Sequence, residues 1–240
     1  MSKMKRFLAG LTVAAALAVP FQALASGEGS GITPDAALKK LMDGNARFMK
    51  DDKEYINWGD VRRKELTKGQ NPFAVILSCS DSRVPPEHVF DQELGDIFVV
   101  RVAGNVADPI ELGSVEYAAE HLNVPLVMVM GHRSCGAVTA TVADGKPEGN
   151  IAAIIKKIAP AVNSAKKRAK DKDAVLDAAI EDNAKLTAKT LTEKSEILKH
   201  LVESGKLKIV SAVYDLHTGK VDILDSGEEK KEGKGHEHKH

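Results

Sequence analysis

Phe73-Ala74-Val75-Ile76-Leu77-Ser78 runs directly into Cys79-Ser80-Asp81-Ser82-Arg83, so that a short apolar run meets a thiol, a carboxylate and a guanidinium at its end. A run of this length without polar alternation predicts a strand buried on both faces, as in a parallel sheet. Val84-Pro85-Pro86 then prevents a long helix from starting immediately after Arg83. The same pattern recurs where Leu126-Val127-Met128-Val129-Met130 leads into Gly131-His132-Arg133-Ser134-Cys135-Gly136. Both cysteines of the chain therefore follow strand-like runs.

Between these runs lies a third strand candidate, Ile97–Val102, entered through Gly95-Asp96 and left through Ala103-Gly104-Asn105. Leu112, Val115, Ala119 and Leu122 recur at helical spacing over Glu111–Leu122, and Pro125 precedes the last strand of the unit. Strand, helix and strand in this order predict a right-handed parallel crossover, and ligands in such sheets gather at the carboxyl ends of strands.

On the N-terminal side, Thr33-Pro34-Asp35 predicts a helix start, with Thr33 as N-cap and Leu38, Leu41, Met42, Ala46 and Met49 as its apolar face. Residues 51–70 are polar and weakly periodic, and Trp58 reads as a packing anchor. Downstream, a helix is expected over Ala137–Thr141 and a turn at Asp144-Gly145-Lys146-Pro147. Two charged amphipathic helices are expected over Ile151–Lys170 and Ala174–Ser204, the second ended by Gly205. Lys208–Tyr214 and Lys220–Leu224 predict a closing strand pair. The fold class is α/β, a parallel-rich central β-sheet flanked by helices, with an N-terminal helix and a C-terminal strand pair.

Length and composition fit one domain of ordinary globular type, with 240 residues, 43% hydrophobic and 28% charged. Lys+Arg 34 balance Asp+Glu 34 over the whole chain, but Lys3, Lys5 and Arg6 sit in an acid-free start, and the slightly acidic remainder gives no reason to expect nucleic acid or anionic lipid as partner. That start, the apolar run Phe7–Val19 and the small-residue pattern Ala23-Leu24-Ala25 predict a signal peptide over residues 1–25 and a periplasmic or secreted protein. The apolar run is shorter than the ~20 residues that cross a bilayer, so no membrane partner is expected. Residues 26–32 read as a flexible segment, 33–226 as the domain, and 227–240 as a charged tail ending His236-Glu237-His238-Lys239-His240, expected to be disordered.

Two thiols and an imidazole, Cys79, His132 and Cys135, form a soft donor set suited to Zn²⁺ and leave one tetrahedral position for water or a carboxylate. Asp81 is placed to fill or hydrogen-bond that position, and Arg83 to hold Asp81 through a bidentate pair. Export leaves a second reading open, a Cys79–Cys135 disulfide. The His-containing tail leaves a third, a zinc-binding or buffering protein without catalysis.

The runs Cys79–Pro85, Gly95–Arg101, Ala103-Gly104-Asn105 and Gly131–Gly136, in this order and spacing, resemble those of a β-class carbonic anhydrase of the plant-like subclass, from about Thr33 to Leu224. The resemblance implies reversible hydration of CO₂ to bicarbonate and a proton by attack of zinc-bound hydroxide, and a homodimer or higher homo-oligomer with an N-terminal helical arm around a partner subunit. It implies one Zn²⁺ per subunit on Cys79, His132 and Cys135, with Asp81 accepting a hydrogen bond from the hydroxide and Arg83 holding Asp81. Gln70, Phe98, Tyr117 and Gly136 are implied as the substrate pocket, and His121, with His88 behind it, as candidate proton shuttles. Ile76 stands where the allosteric subclass usually has tryptophan, which implies the open subclass; in the alternative closed state Asp81 would itself ligate the metal. Val102 stands where many members have asparagine. Carbonyl sulfide or carbon disulfide is an alternative substrate for the same hydroxide.

Overall fold

The computed structural model describes residues 29–52, 59–145 and 147–225. The signal peptide, the anchor role of Trp58, the start of the flexible segment and the tail fall outside the described residues.

The chain opens with α1 (Pro34–Lys50) and the short α2 (Asp60–Leu66), then β1 (Ala74–Ser78), α3 (Pro86–Val89) and β2 (Ile97–Arg101). A tight turn at Ala103–Asn105 leads to α4 (Pro109–Glu116), which widens into a π-helical turn over Tyr117–His121. Next come β3 (Leu126–His132), α5 (Gly136–Val142), α6 (Ile151–Arg168), α7 (Lys172–Lys194) and α8 (Glu196–Glu203), and the closing pair β4 (Lys208–Tyr214) and β5 (Val221–Asp225). The sheet order is β2-β1-β3-β4-β5, with the first four strands parallel and β5 antiparallel at one edge. The parallel-rich α/β sheet with a C-terminal strand pair is therefore as expected.

Every residue of β1 and β3 is buried, because both strands lie inside the sheet and are covered on both faces. One face packs Ile76, Met128 and Val210 against Ala37 and Leu41 of α1 and Val89 and Phe90 around α3. The other packs Val75 and Val127 against Leu112 and Val115 of α4, Leu191 of α7 and Leu198 of α8. At the carboxyl ends of the strands the second face continues into Val138, Ile158, Val162 and Ile180, which surround both cysteines.

Three expectations about helices change. The buried stripe of α1 runs through Ala37, Leu41, Gly44 and Asn45, leaving Leu38 and Met42 at its margin and Met49 exposed. The helix expected over Ala174–Ser204 is two helices broken at Ser195, whose hydroxyl accepts from Leu198 N–H at 3.1 Å and donates to Glu116 at 2.5 Å. This bond to α4 fixes a new helix start in the middle of a continuous helical pattern. The third change is α2, which buries no residue and so leaves no apolar period in the sequence. Thr33 caps α1 as expected, and no helix among the described residues is long and apolar enough to cross a membrane.

Asn45 joins α1 to the end of the sheet. Its amide donates to Val89 O at 3.0 Å and Gly219 O at 2.8 Å and accepts from Val221 N–H at 2.9 Å, in a position 1% exposed. Asn45→Ala strands three backbone groups in a dry place, and a loss on the order of 2–3 kcal/mol is expected from the lowered urea midpoint; an unchanged midpoint would show that α1 is not held this way.

Candidate metal centre

Parallel pairing decides where the chemistry sits. β1 and β3 are neighbours in register, Ser78 opposite Met130, so Cys79 and His132 leave the sheet at the same edge. His132 is the last residue of β3, and after Ser134 in the left-handed region (φ 56°) Cys135 stands immediately before α5. The ligand atoms of Cys79, His132 and Cys135 all lie within 4.8 Å of one another, and all three residues are buried.

The orientation of His132 follows from one hydrogen bond. Nδ1 lies 2.9 Å from Arg133 O, and since a carbonyl only accepts, Nδ1 carries the proton. Nε2 is therefore a bare lone pair, fully buried and without a protein partner among the described residues. A buried acceptor facing two sulfurs is costly unless something electrophilic completes it. This is the donor set a zinc site takes from protein, and the residues fit that ion.

The sulfurs differ. The Cys79 thiol is drawn down from its ordinary range, chiefly by the hydrogen bond from Cys135, with the Gly104 N–H assisting against burial. Cys135 is pushed up by the same bond, which it donates to Cys79, and by burial. The shared bond thus favours ionisation of Cys79 and disfavours that of Cys135. Both cysteines are free thiols, so the disulfide reading is not the arrangement found.

Asp81 and Arg83 form the bidentate pair that their spacing predicts, Nε to Oδ1 at 2.9 Å and NH2 to Oδ2 at 2.7 Å. The Arg83 backbone N–H adds a third bond at 3.0 Å. Arg83 holds the Asp81 carboxyl well below the usual carboxylate range. Oδ2 lies 3.8 Å from His132 Nε2, beside the ligand cluster while engaged with Arg83.

Arg101, quoted above only as part of a motif, has a definite task. From the end of β2 it donates to Cys79 O at 3.0 Å and to Asp81 O at 2.6 Å, strapping the loop that carries both groups. Arg133 anchors the second loop by donating to Glu181 at 2.8 Å and pairing with Asp177 at 3.3 Å. The register of β2 against β1, with Arg101 opposite Ser78, was the missing signal for Arg101.

The remaining residues separate. Gly136 opens α5 next to Cys135. Phe98 lies opposite Val75, four residues upstream of Cys79, which is roughly 13 Å along the strand at ~3.3 Å per residue. Its ring stands 6.3 Å from Tyr117, and Tyr117 stands 5.5 Å from His121. These three rings form one group, with Phe98 well down the strand from Cys79. Gln70 and His88 are exposed on the surface.

A family model described as carbonic anhydrase matches residues 74–221. The chain is 40% identical over 196 residues to carbonic anhydrase 2 of Mycobacterium tuberculosis, covering 80% of this chain and 93% of that protein. It is similar in structure to a β-carbonic anhydrase of Aspergillus fumigatus, at 28% identity and TM-score 0.63 over 81% of this chain and 92% of the other. A Coccomyxa β-carbonic anhydrase in complex with acetazolamide matches at 27% identity and TM-score 0.62 over 67% of this chain and 75% of that one.

The sulfur pair makes a testable titration. In reduced, metal-free protein the thiolate absorbance near 240 nm is expected to rise by one equivalent well below the pH at which free cysteine ionises, while the second thiol resists ionisation. Cys135→Ala removes the principal hydrogen bond to Cys79 and should move that first step to higher pH; an unmoved step would exclude Cys135 as its cause.

Proposed function

The chain belongs to the β-class carbonic anhydrases, and from that premise we propose that it catalyses reversible hydration of CO₂ to bicarbonate and a proton with one zinc ion per subunit, held by Cys79, His132 and Cys135. The observation that carries this reading is the buried, unpartnered His132 Nε2 grouped with two sulfurs. A zinc ion held there supplies Lewis acidity, by which water becomes a nucleophile near neutral pH.

The protein's own contribution is orientation. Asp81, ionised and held by Arg83, is a hydrogen-bond acceptor only. A reacting water that donates to Asp81 has one proton committed and a lone pair free for the carbon of CO₂. Because Arg83 is charged at all relevant pH, the carboxylate stays an acceptor engaged with the guanidinium beside the ligand cluster, which is the open arrangement. Arg101 and Arg133 hold the two loops so that ligands and acceptor keep their separation. The side chains around the cysteines are apolar, which suits a small nonpolar substrate such as CO₂.

Gln70, Phe98 and Tyr117 serve the pocket, in this proposal, from a second copy of the chain. Phe98 is too far down its strand to line its own centre, and β2 has an open edge of the sheet beside it. A homo-oligomer accounts for both facts and gives His121 its place as proton shuttle beside Tyr117. Residues 1–25 act as an export signal in the same reading, on the strength of their basic, apolar and small-residue order.

Asp81→Asn is expected to retain one zinc per chain and lose about 10²–10³-fold in CO₂ hydration measured by stopped flow; full turnover in that variant would refute the orienting role. Cys135→Ser should lose stoichiometric zinc by metal analysis. Negligible CO₂ turnover in zinc-loaded wild type, with turnover of carbonyl sulfide, would transfer the same site to the alternative substrate.

A further inference from the structure

We propose that Asn183, in the interior of α7, is a positioning residue for the metal centre, acting through Gly104 on the sulfur of Cys79. The inference rests on the reading of Cys79 as a metal ligand. The buried stripe of α7 is mostly apolar, with Val175, Ala179, Ile180, Ala184 and Leu191, and is interrupted by Asn183 at 1% exposure and by Thr187. Its Oδ1 has no protein partner among the described residues, while its Nδ2 donates to Gly104 O at 2.8 Å. The NH₂ must face that carbonyl, since two acceptors would repel. An apolar residue would fill this place without stranding an oxygen, so packing does not account for the amide. What the amide does is hold one peptide.

That peptide belongs to a residue with little freedom. Gly104 sits at φ +73°, and a Cβ there would meet Ile158 Cδ1 at 2.6 Å and Ala137 Cβ at 3.1 Å. In this conformation its N–H points at Cys79 Sγ at 3.3 Å. Asn105, the next residue, is also left-handed at φ 44°, so the turn depends on outside support. Asn183 anchors the carbonyl side of Gly104, which fixes the direction of its N–H on the other side. An N–H donated to a thiolate withdraws charge from sulfur, placing the sulfur and moderating what it gives to a metal. A residue on a helix remote in sequence thereby tunes the first of the two thiol ligands.

The test uses zinc- and cobalt-loaded full-length protein with Asn183→Leu and Asn183→Ala. Zinc affinity is read by chelator competition, the sulfur-to-cobalt charge-transfer band by absorption, and folding by the thermal midpoint. The expected result is about 10–100-fold weaker zinc binding and a red-shifted band, with the midpoint of Asn183→Leu kept near wild type. Wild-type affinity and an unshifted band in either folded variant would overturn the assignment of Asn183, whereas wild type that binds no zinc would overturn the metal reading beneath it. Should both variants fail to fold, ¹¹³Cd-loaded wild type decides: scalar coupling between cadmium and the Gly104 amide proton supports the N–H···S link, and its absence overturns it.

Discussion

Two neighbouring parallel strands finish at one edge of a sheet, and nearly everything at the centre depends on that coincidence. β1 delivers Cys79 and β3 delivers His132 to the same place because their residues are paired in register, Val75 with Val127 through Ser78 with Met130. An antiparallel pair would have sent the two polar clusters to opposite ends of the sheet. Parallel pairing requires a long crossover, and that crossover contains β2, the Ala103–Asn105 turn and α4. The segment needed for topology thus also supplies Arg101 and Gly104, which hold the loop and the sulfur.

Charge explains why such a cluster is tolerated among apolar side chains. Two thiolates with one divalent cation would be neutral together, and Asp81 with Arg83 is neutral as a pair. Each unit can therefore sit in or beside a region of low dielectric without a stranded net charge. Between the two sulfurs themselves, the hydrogen bond runs from Cys135 to Cys79. His132 does not share in that bond, because its protonated nitrogen is already committed to Arg133 O and the other faces the sulfurs bare.

The sheet was legible because buried parallel strands have a signature that survives in a single sequence, short apolar runs such as Val75–Leu77 and Val127–Met130 ended by polar motifs. The five residues Cys79, Asp81, Arg83, His132 and Cys135 were legible because they lie beside those runs. What was hidden depends on distance in the chain. Ser195 breaks a helix through a partner on α4, Arg101 works through strand register, and Asn183 looks like any polar helix position until its burial is known. Phe98 and Tyr117 were singled out only through the resemblance, as pocket residues, and it takes the strand register to show that Phe98 stands well down the strand from Cys79.

This division between what the single chain gathers and what it leaves apart has a physical order. Ligand atoms must be fixed to within tenths of an ångström, and here they are fixed by backbone: a strand end, a helix start and a carbonyl that sets the histidine ring. The walls of a pocket for a nonpolar molecule need only exclude water and fit its width, a looser demand that side chains of another subunit can meet. The fold spends its rigid, fully buried strands on the first requirement. Phe98 is left on β2, the strand at the edge of the sheet, four residues down the register from the end that carries Cys79.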